Sequence, residues 1–171
     1  MLITRAAFTS LEYCEVRSHL FLAALAFRPR HNRSMRDDER FEQLMAFIGS
    51  QLPTPVDQQT AGDGSMIFTG GAPPEVVVHL TESSVRVSEY AGVWESSDRF
   101  TVKPRRVGML KWRRLPETAM MHALAALIKG ARDMRLARYR PCPVCDKRYP
   151  PEALFTNDVC PWCGEVGPVV H

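Results

Sequence analysis

The sequence predicts an α+β fold, an antiparallel strand meander packed with two amphipathic helices, followed by a small C-terminal module built on cysteine. Three observations carry this expectation. Residues 37–52 and 116–134 each repeat apolar side chains at three- and four-residue spacing, the stripe of a helix laid on a core. Between them lie short runs of β-branched and apolar residues, joined by connections too short for crossover helices. Beyond the second helix, four cysteines fall into two Cys-x-x-Cys pairs.

Phe41, Leu44, Met45, Ile48 and Leu52 form the first stripe. Asp37, Asp38 and Glu39 crowd its N-terminal end, where acids favour the helix dipole. Gly49 and Pro53 mark its end, and the polar residues 53–64 read as a surface loop. Strands are expected at 66–68, 76–80, 85–88, 99–103 and 107–112, with Val85 and Val87 alternating against Arg86 and Ser88. Pro116 suits the first turn of the second helix. Its stripe runs through Met120, Met121, Leu124, Leu127, Ile128, Ala131 and Met134. Arg135 and Arg138 continue the same line, so the helix is expected to leave the core there and project toward Pro141.

Residues 1–34 are less ordered in pattern, because the apolar positions of 10–27 do not keep to one face. An orderly stripe starts only after Met35, which makes Met35 a candidate start of translation. The expected organisation is an N-terminal extension (1–34), an α+β domain (35–140) and a cysteine module (141–171).

With 45% hydrophobic and 24% charged residues, a chain of 171 residues can bury a core without help from a ligand. Its longest apolar run, 20–27, falls well short of the ~18–20 residues of a membrane span, so no membrane partner is expected. A small-x-small pattern at Ala24-Leu25-Ala26 follows a segment carrying Glu12 and Glu15, which argues against an export signal. Cys14 is left over once the other cysteines pair. A free thiol suits a reducing compartment, and the cytoplasm is the expected location. The net charge of +3 conceals a strong asymmetry. Residues 37–102 hold three arginines against eleven acids, whereas 103–148 hold thirteen Lys or Arg against three acids. Such a basic block either meets a polyanion or faces the acidic block within the same fold.

Cys142-Pro143-Val144-Cys145 and Cys160-Pro161-Trp162-Cys163 carry the clearest chemistry. Each turn can present two thiolates to one ion. Soft thiolates select zinc or iron over hard cations, and four of them favour tetrahedral geometry. Over residues 142–164 the pattern resembles the zinc ribbons and the rubredoxin-like sites. Gly164 stands where that knuckle takes a left-handed residue, and Asp146 holds the matching position after Cys145. The resemblance implies Zn2+ held by Cys142, Cys145, Cys160 and Cys163, with Fe as the alternative. It also implies a structural role, because four cysteine ligands leave no position open for a catalytic water. Iron would imply one-electron transfer. Zinc ribbons often serve nucleic-acid machinery, which implies a nucleic-acid partner, while others dock proteins.

The candidate nucleic-acid contacts are Lys111, Trp112, Arg113 and Arg114, then Arg132, Arg135, Arg138 and Arg140, then Lys147 and Arg148. The cations would neutralise phosphates, and Trp112, Tyr139, Tyr149 or Trp162 would stack on bases. No catalytic signature accompanies them. His79 reads as a hydrogen-bonded sheet residue and His122 as an exposed one, while His19, His31 and His171 lie toward the termini. Glycines at 62–64 and 70–71 lack the strand–loop–helix setting of a phosphate cradle, and Glu75 and Glu82 flank a strand. The expected function is a zinc-binding, nucleic-acid-associated accessory protein. A protein-interaction adaptor is the alternative, and the reading leans away from an enzyme.

Overall fold

The computed structural model describes residues 31–166. Expectations for Cys14, His19 and His171 lie outside the described residues. The chain divides between Arg40 and Phe41 into two units, and the architecture that follows is that of the second.

Helix α1 (His31–Gln51) carries the first expected stripe. Leu44, Ile48 and Leu52 are buried, and Phe41 and Met45 pack half-buried on the same core. The chain then builds one antiparallel sheet from β1 (Val56–Thr60), β2 (Met66–Gly70), β3 (Val76–Leu80), β4 (Val85–Glu89) and β7 (Arg105–Leu110). The spatial order is β1-β2-β3-β4-β7. Strands β5 (Gly92–Trp94) and β6 (Phe100–Val102) pair with each other in a separate hairpin between β4 and β7. A 3-10 turn at Trp112–Arg114 leads into α2 (Glu117–Ala137). The cysteine module adds β8 (Arg140–Pro141), β9 (Arg148–Tyr149) and the short helix α3 (Pro161–Val166). The class is α+β, with an antiparallel meander and helices, as the pattern predicts.

Three strands of the domain depart from the sequence expectation, among them β5, which none of the expected strands covers. Residues 56–60, read as loop, form the edge strand β1, whose Val-Asp-Gln-Gln-Thr run is almost wholly exposed. Such a strand is held by backbone pairing to β2 and leaves no apolar alternation to read. The run at 99–103 is a strand but pairs outside the main sheet.

Because side chains alternate along a strand, the sheet has one packed and one open face. Phe68, Val76, Val78, Leu80, Val85 and Val87 are buried and face the core shared with Met120, Leu124, Ile128 and Ala131 of α2. Trp112 closes that core with no exposure; its indole N–H donates to the Thr81 carbonyl at 3.0 Å. A register shift after Val87 sets Gly108 opposite that residue. A Cβ on Gly108 would lie 2.6 Å from the Leu127 side chain, so glycine lets α2 approach the strand closely. On the open face the register aligns Gln59, Ile67, His79, Arg86 and Met109 in one row. Asp57, Thr69, Val77, Ser88 and Arg106 form the next.

The end of α2 corrects the expectation that its apolar face departs from the core at Arg135. Met134 is 45% exposed, whereas Arg135 is only 2% exposed. Positions 124, 128, 131 and 135 lie on one line of the helix surface. The buried face runs on through the arginine.

Candidate metal centre

The cysteine module starts where α2 ends. Strands β8 and β9 pair Arg140 with Tyr149 and Pro141 with Arg148, bringing the first Cys-x-x-Cys into a tight hairpin turn. Within it the Cys142 N–H donates to the Lys147 carbonyl at 2.9 Å and the Asp146 N–H to the Cys142 carbonyl at 2.8 Å. Asp146 has a φ of 57°, the left-handed conformation expected after the first pair. The second pair solves the turn differently. Gly164 lies inside α3, without a left-handed φ, and its N–H donates to the Cys160 carbonyl at 2.9 Å. The expected left-handed Gly164 is thus corrected. The structure gives this glycine a packing role, since a Cβ there would meet the Phe155 ring at 2.8 Å.

The two turns face each other, and the sulfurs of Cys142, Cys145, Cys160 and Cys163 all lie within 4.8 Å of one another. The Cys145 and Cys160 sulfurs are 3.9 Å apart. A tetrahedral site with metal–sulfur bonds of ~2.3 Å sets its sulfurs about 3.8 Å apart, so the cluster has the size of one ion's coordination shell. Cys142 and Cys160 are buried and the other two half-buried, with no disulfide among them. These residues could hold a metal ion.

The electrostatics favour thiolate at Cys142 and Cys160 and oppose it at Cys163. Burial would push the Cys142 thiol up, but the N–H groups of Cys160, Cys145 and Val144 point at its sulfur and hold it down to about 6. Burial likewise opposes ionisation of Cys160, outweighed by the Cys163 N–H and the Tyr149 hydroxyl, and the net shift is downward. Tyr149, expected to be available for base stacking, donates to the Cys160 sulfur, and that bond raises its own hydroxyl to about 12. Cys163, hydrogen-bonded to the Cys160 sulfur, is raised to about 12. Without a cation, one sulfur gives up its proton readily and another keeps it, and a metal ion displaces the retained proton.

Arg135 anchors the module to the sheet. Its guanidinium makes a two-pronged pair with Glu152, which lies in the spacer between the cysteine turns. Its Nε donates to the Pro74 carbonyl at 3.3 Å, and it sits 5.4 Å from the Tyr90 ring and 5.5 Å from the Tyr139 ring. The Trp94 indole N–H donates to the Glu152 carbonyl at 2.9 Å, tying in the β5–β6 hairpin. Glu152 carried no signal in the sequence. Its role appears only once the spacer folds back onto α2.

No protein-family model, curated protein or solved structure matches the chain.

The structure sorts the basic residues into three groups. Trp112 and Arg135 are buried, so neither the expected base stacking nor the expected phosphate contact fits their position. Arg113 pairs with Glu82 at 3.0 Å, Arg132 with Glu75 at 2.6 Å, Arg138 with Glu89 at 2.9 Å and Arg140 with Asp158 at 3.2 Å. Arg148 donates to the Tyr139 carbonyl at 2.8 Å. Lys111, Arg114 and Lys147 are exposed, and among the described residues no carboxylate pairs with them. Tyr139 is half-buried and Trp162 is 75% exposed. Of the histidines, His79 hydrogen-bonds Ser65 at 2.7 Å and His122 is exposed.

Two predictions follow from this geometry. Arg135→Met leaves the Glu152 carboxylate without its partner and should cost about 3–5 kcal/mol in denaturant unfolding. Arg135→Met/Glu152→Leu should recover much of that loss; a double variant as unstable as the single would contradict the ion-pair account. In the metal-free protein, ultraviolet absorbance should show one thiolate forming as pH rises through about 6, and Cys142→Ser should abolish that step. Since this value lies below the ~8.5 of a free thiol, the stability it contributes is full above ~8.5 and is lost as pH falls through about 6.

Proposed function

We propose that the protein is a zinc-binding accessory protein whose four-cysteine site has a structural task, holding the module (141–171) closed against the α+β domain (35–140). The observation that carries this reading is the cluster of sulfurs within 4.8 Å, ringed by N–H donors and docked through a buried ion pair. Four thiolates saturate Zn2+ and leave no place for water, which favours binding over catalysis. A reducing compartment such as the cytoplasm keeps these thiols free for metal.

The proposed partner is a nucleic acid. Lys111, Arg114 and Lys147 offer charge that no carboxylate among the described residues pairs. Arg113, Arg132, Arg138 and Arg140 keep 38–60% of their side chains exposed, and Arg148 is exposed as well. Of these ion pairs, Arg113–Glu82 and Arg140–Asp158 have both partners exposed and are worth ~1 kcal/mol or less, so those carboxylates can be exchanged for phosphates. A second reading, protein docking, is favoured by the exposed Val93, Trp94, Phe100 and Val102 of the β5–β6 hairpin and by Val144, Phe155 and Trp162 of the module.

Native mass spectrometry should find one zinc per chain and none in Cys160→Ser; zinc retained in that variant, or iron in its place, would overturn the metal assignment. Binding to labelled single- and double-stranded DNA and RNA should weaken steeply with salt and weaken again in Lys111→Glu/Lys147→Glu. An absence of binding at low salt would leave the protein-docking reading in its place.

A further inference from the structure

The open face of the sheet holds a second site, separate from the cysteines. A half-open groove of about 760 Å³ runs across it, within the size range of small-molecule sites. Pro74 and Tyr90 stand at one side, and Val102 at the end of β6 and Pro104 in the link to β7 border it.

Arg86 and Arg106 are the decisive residues. They are diagonal neighbours on β4 and β7, since Arg86 pairs with Met109 and Ser88 with Arg106. Both line the groove, and both are exposed. Among the described residues neither guanidinium has a carboxylate or any other side-chain partner, whereas the arginines at 113, 132, 135, 138 and 140 all do. Two unneutralised guanidiniums about 7–8 Å apart at their bases repel each other and make a site for an anion. Ser88 and Tyr90 add hydroxyl groups beside them. His79 is held in place by a chain from Asp63: the Ser65 hydroxyl donates to Asp63 at 2.6 Å and accepts from His79 Nε2 at 2.7 Å.

The groove changes character toward β1. Ile67 and Val77 give it an apolar middle. At its far edge Asp57 and Gln59 present a carboxylate and an amide, joined by a 2.7 Å hydrogen bond. Among the described residues that line the groove, Asp57 is the one carboxylate. In the register of the sheet Asp57 lies three strand spacings, about 14 Å, from Ser88 and four from Arg106, too far to neutralise the arginines and too far for inorganic phosphate to bridge.

We propose that this groove binds a nucleoside phosphate, with the phosphate on Arg86 and Arg106, the sugar and base over Ile67 and Val77, and the polar edge of the base toward Asp57 and Gln59. The phosphate belongs either to a free mononucleotide or to the end of a nucleic-acid strand. The site stands independently of the nucleic-acid surface around Lys111 and Lys147, none of whose residues line it.

Isothermal titration of the full-length zinc-loaded protein tests the proposal. The probes are nucleoside 5′-monophosphates, a short 5′-phosphorylated single-stranded oligonucleotide, and inorganic phosphate. A nucleotide probe should bind saturably and at least tenfold more tightly than inorganic phosphate, and the tighter of the two nucleotide probes identifies the source. Arg86→Ala and Arg106→Ala should each weaken binding about ten- to hundredfold. Melting temperature and zinc content should stay unchanged, because neither side chain supports the fold. Asp57→Ala should alter the ranking of the bases. Lys111→Glu/Lys147→Glu should leave mononucleotide binding intact, which separates failure here from failure of the strand-binding surface. The proposal is overturned if no nucleotide probe saturates, if affinity survives both arginine replacements, or if inorganic phosphate binds as tightly as the nucleotides.

Discussion

The buried guanidinium of Arg135 is the constraint around which the second half of the molecule is arranged. A charge at 2% exposure is tolerable only with a counter-charge and satisfied donors. Glu152 supplies the charge, Pro74 an acceptor, and Tyr90 and Tyr139 the electron-rich faces. These groups come from the cysteine spacer, the β2–β3 turn, the end of β4 and the end of α2. The ion pair thus selects one docking position for the module, because any other would leave a charge buried alone. The cysteine cluster and the sheet are consequently parts of one unit, and the cysteine turns are held at the end of the helix that packs the core.

The same economy governs the wider charge pattern. The basic block at 103–148 and the acidic block at 37–102 meet in the fold. Arg132 takes Glu75, Arg113 takes Glu82, and the fully buried Glu89 is shared by Arg105 and Arg138. Glu89 has no exposure at all and needs both partners for the reason that Arg135 needs Glu152. Much of the apparent polyanion signal is therefore spent inside the molecule. What remains are the cations that have no carboxylate partner among the described residues, around Lys111 and Lys147 and, separately, on the open sheet face.

The stripes of both helices were legible because helical periodicity depends on burial of one face, and Leu44, Ile48, Leu52, Met120, Leu124 and Ile128 are buried as that pattern requires. Strands with an apolar face were legible for a similar reason. β1 was not, since its exposed Asp-Gln-Gln-Thr run pairs through backbone alone. Arg135 misled for the opposite reason. Its position on the stripe was correct, but the residue type suggested solvent, and only a carboxylate seventeen residues away in the spacer reverses that inference. Gly164 shows a glycine whose reason is space and not conformation, a distinction invisible without Phe155 beside it.

The amino-acid sequence by itself determined the α+β class, the helix faces and the four cysteines that cluster, because each depends on local spacing. A Cys-x-x-Cys turn brings its own two thiolates together wherever it is placed, and a periodic stripe finds a core whatever its partner. The tertiary structure decided which charges are neutralised, that Trp112 and Arg135 are buried, and that Arg86 and Arg106 share an open groove with His79. Those outcomes depend on strand register and on segments distant in the chain coming into contact. A one-residue change of register would have turned Arg86 into the core and Val87 into the groove.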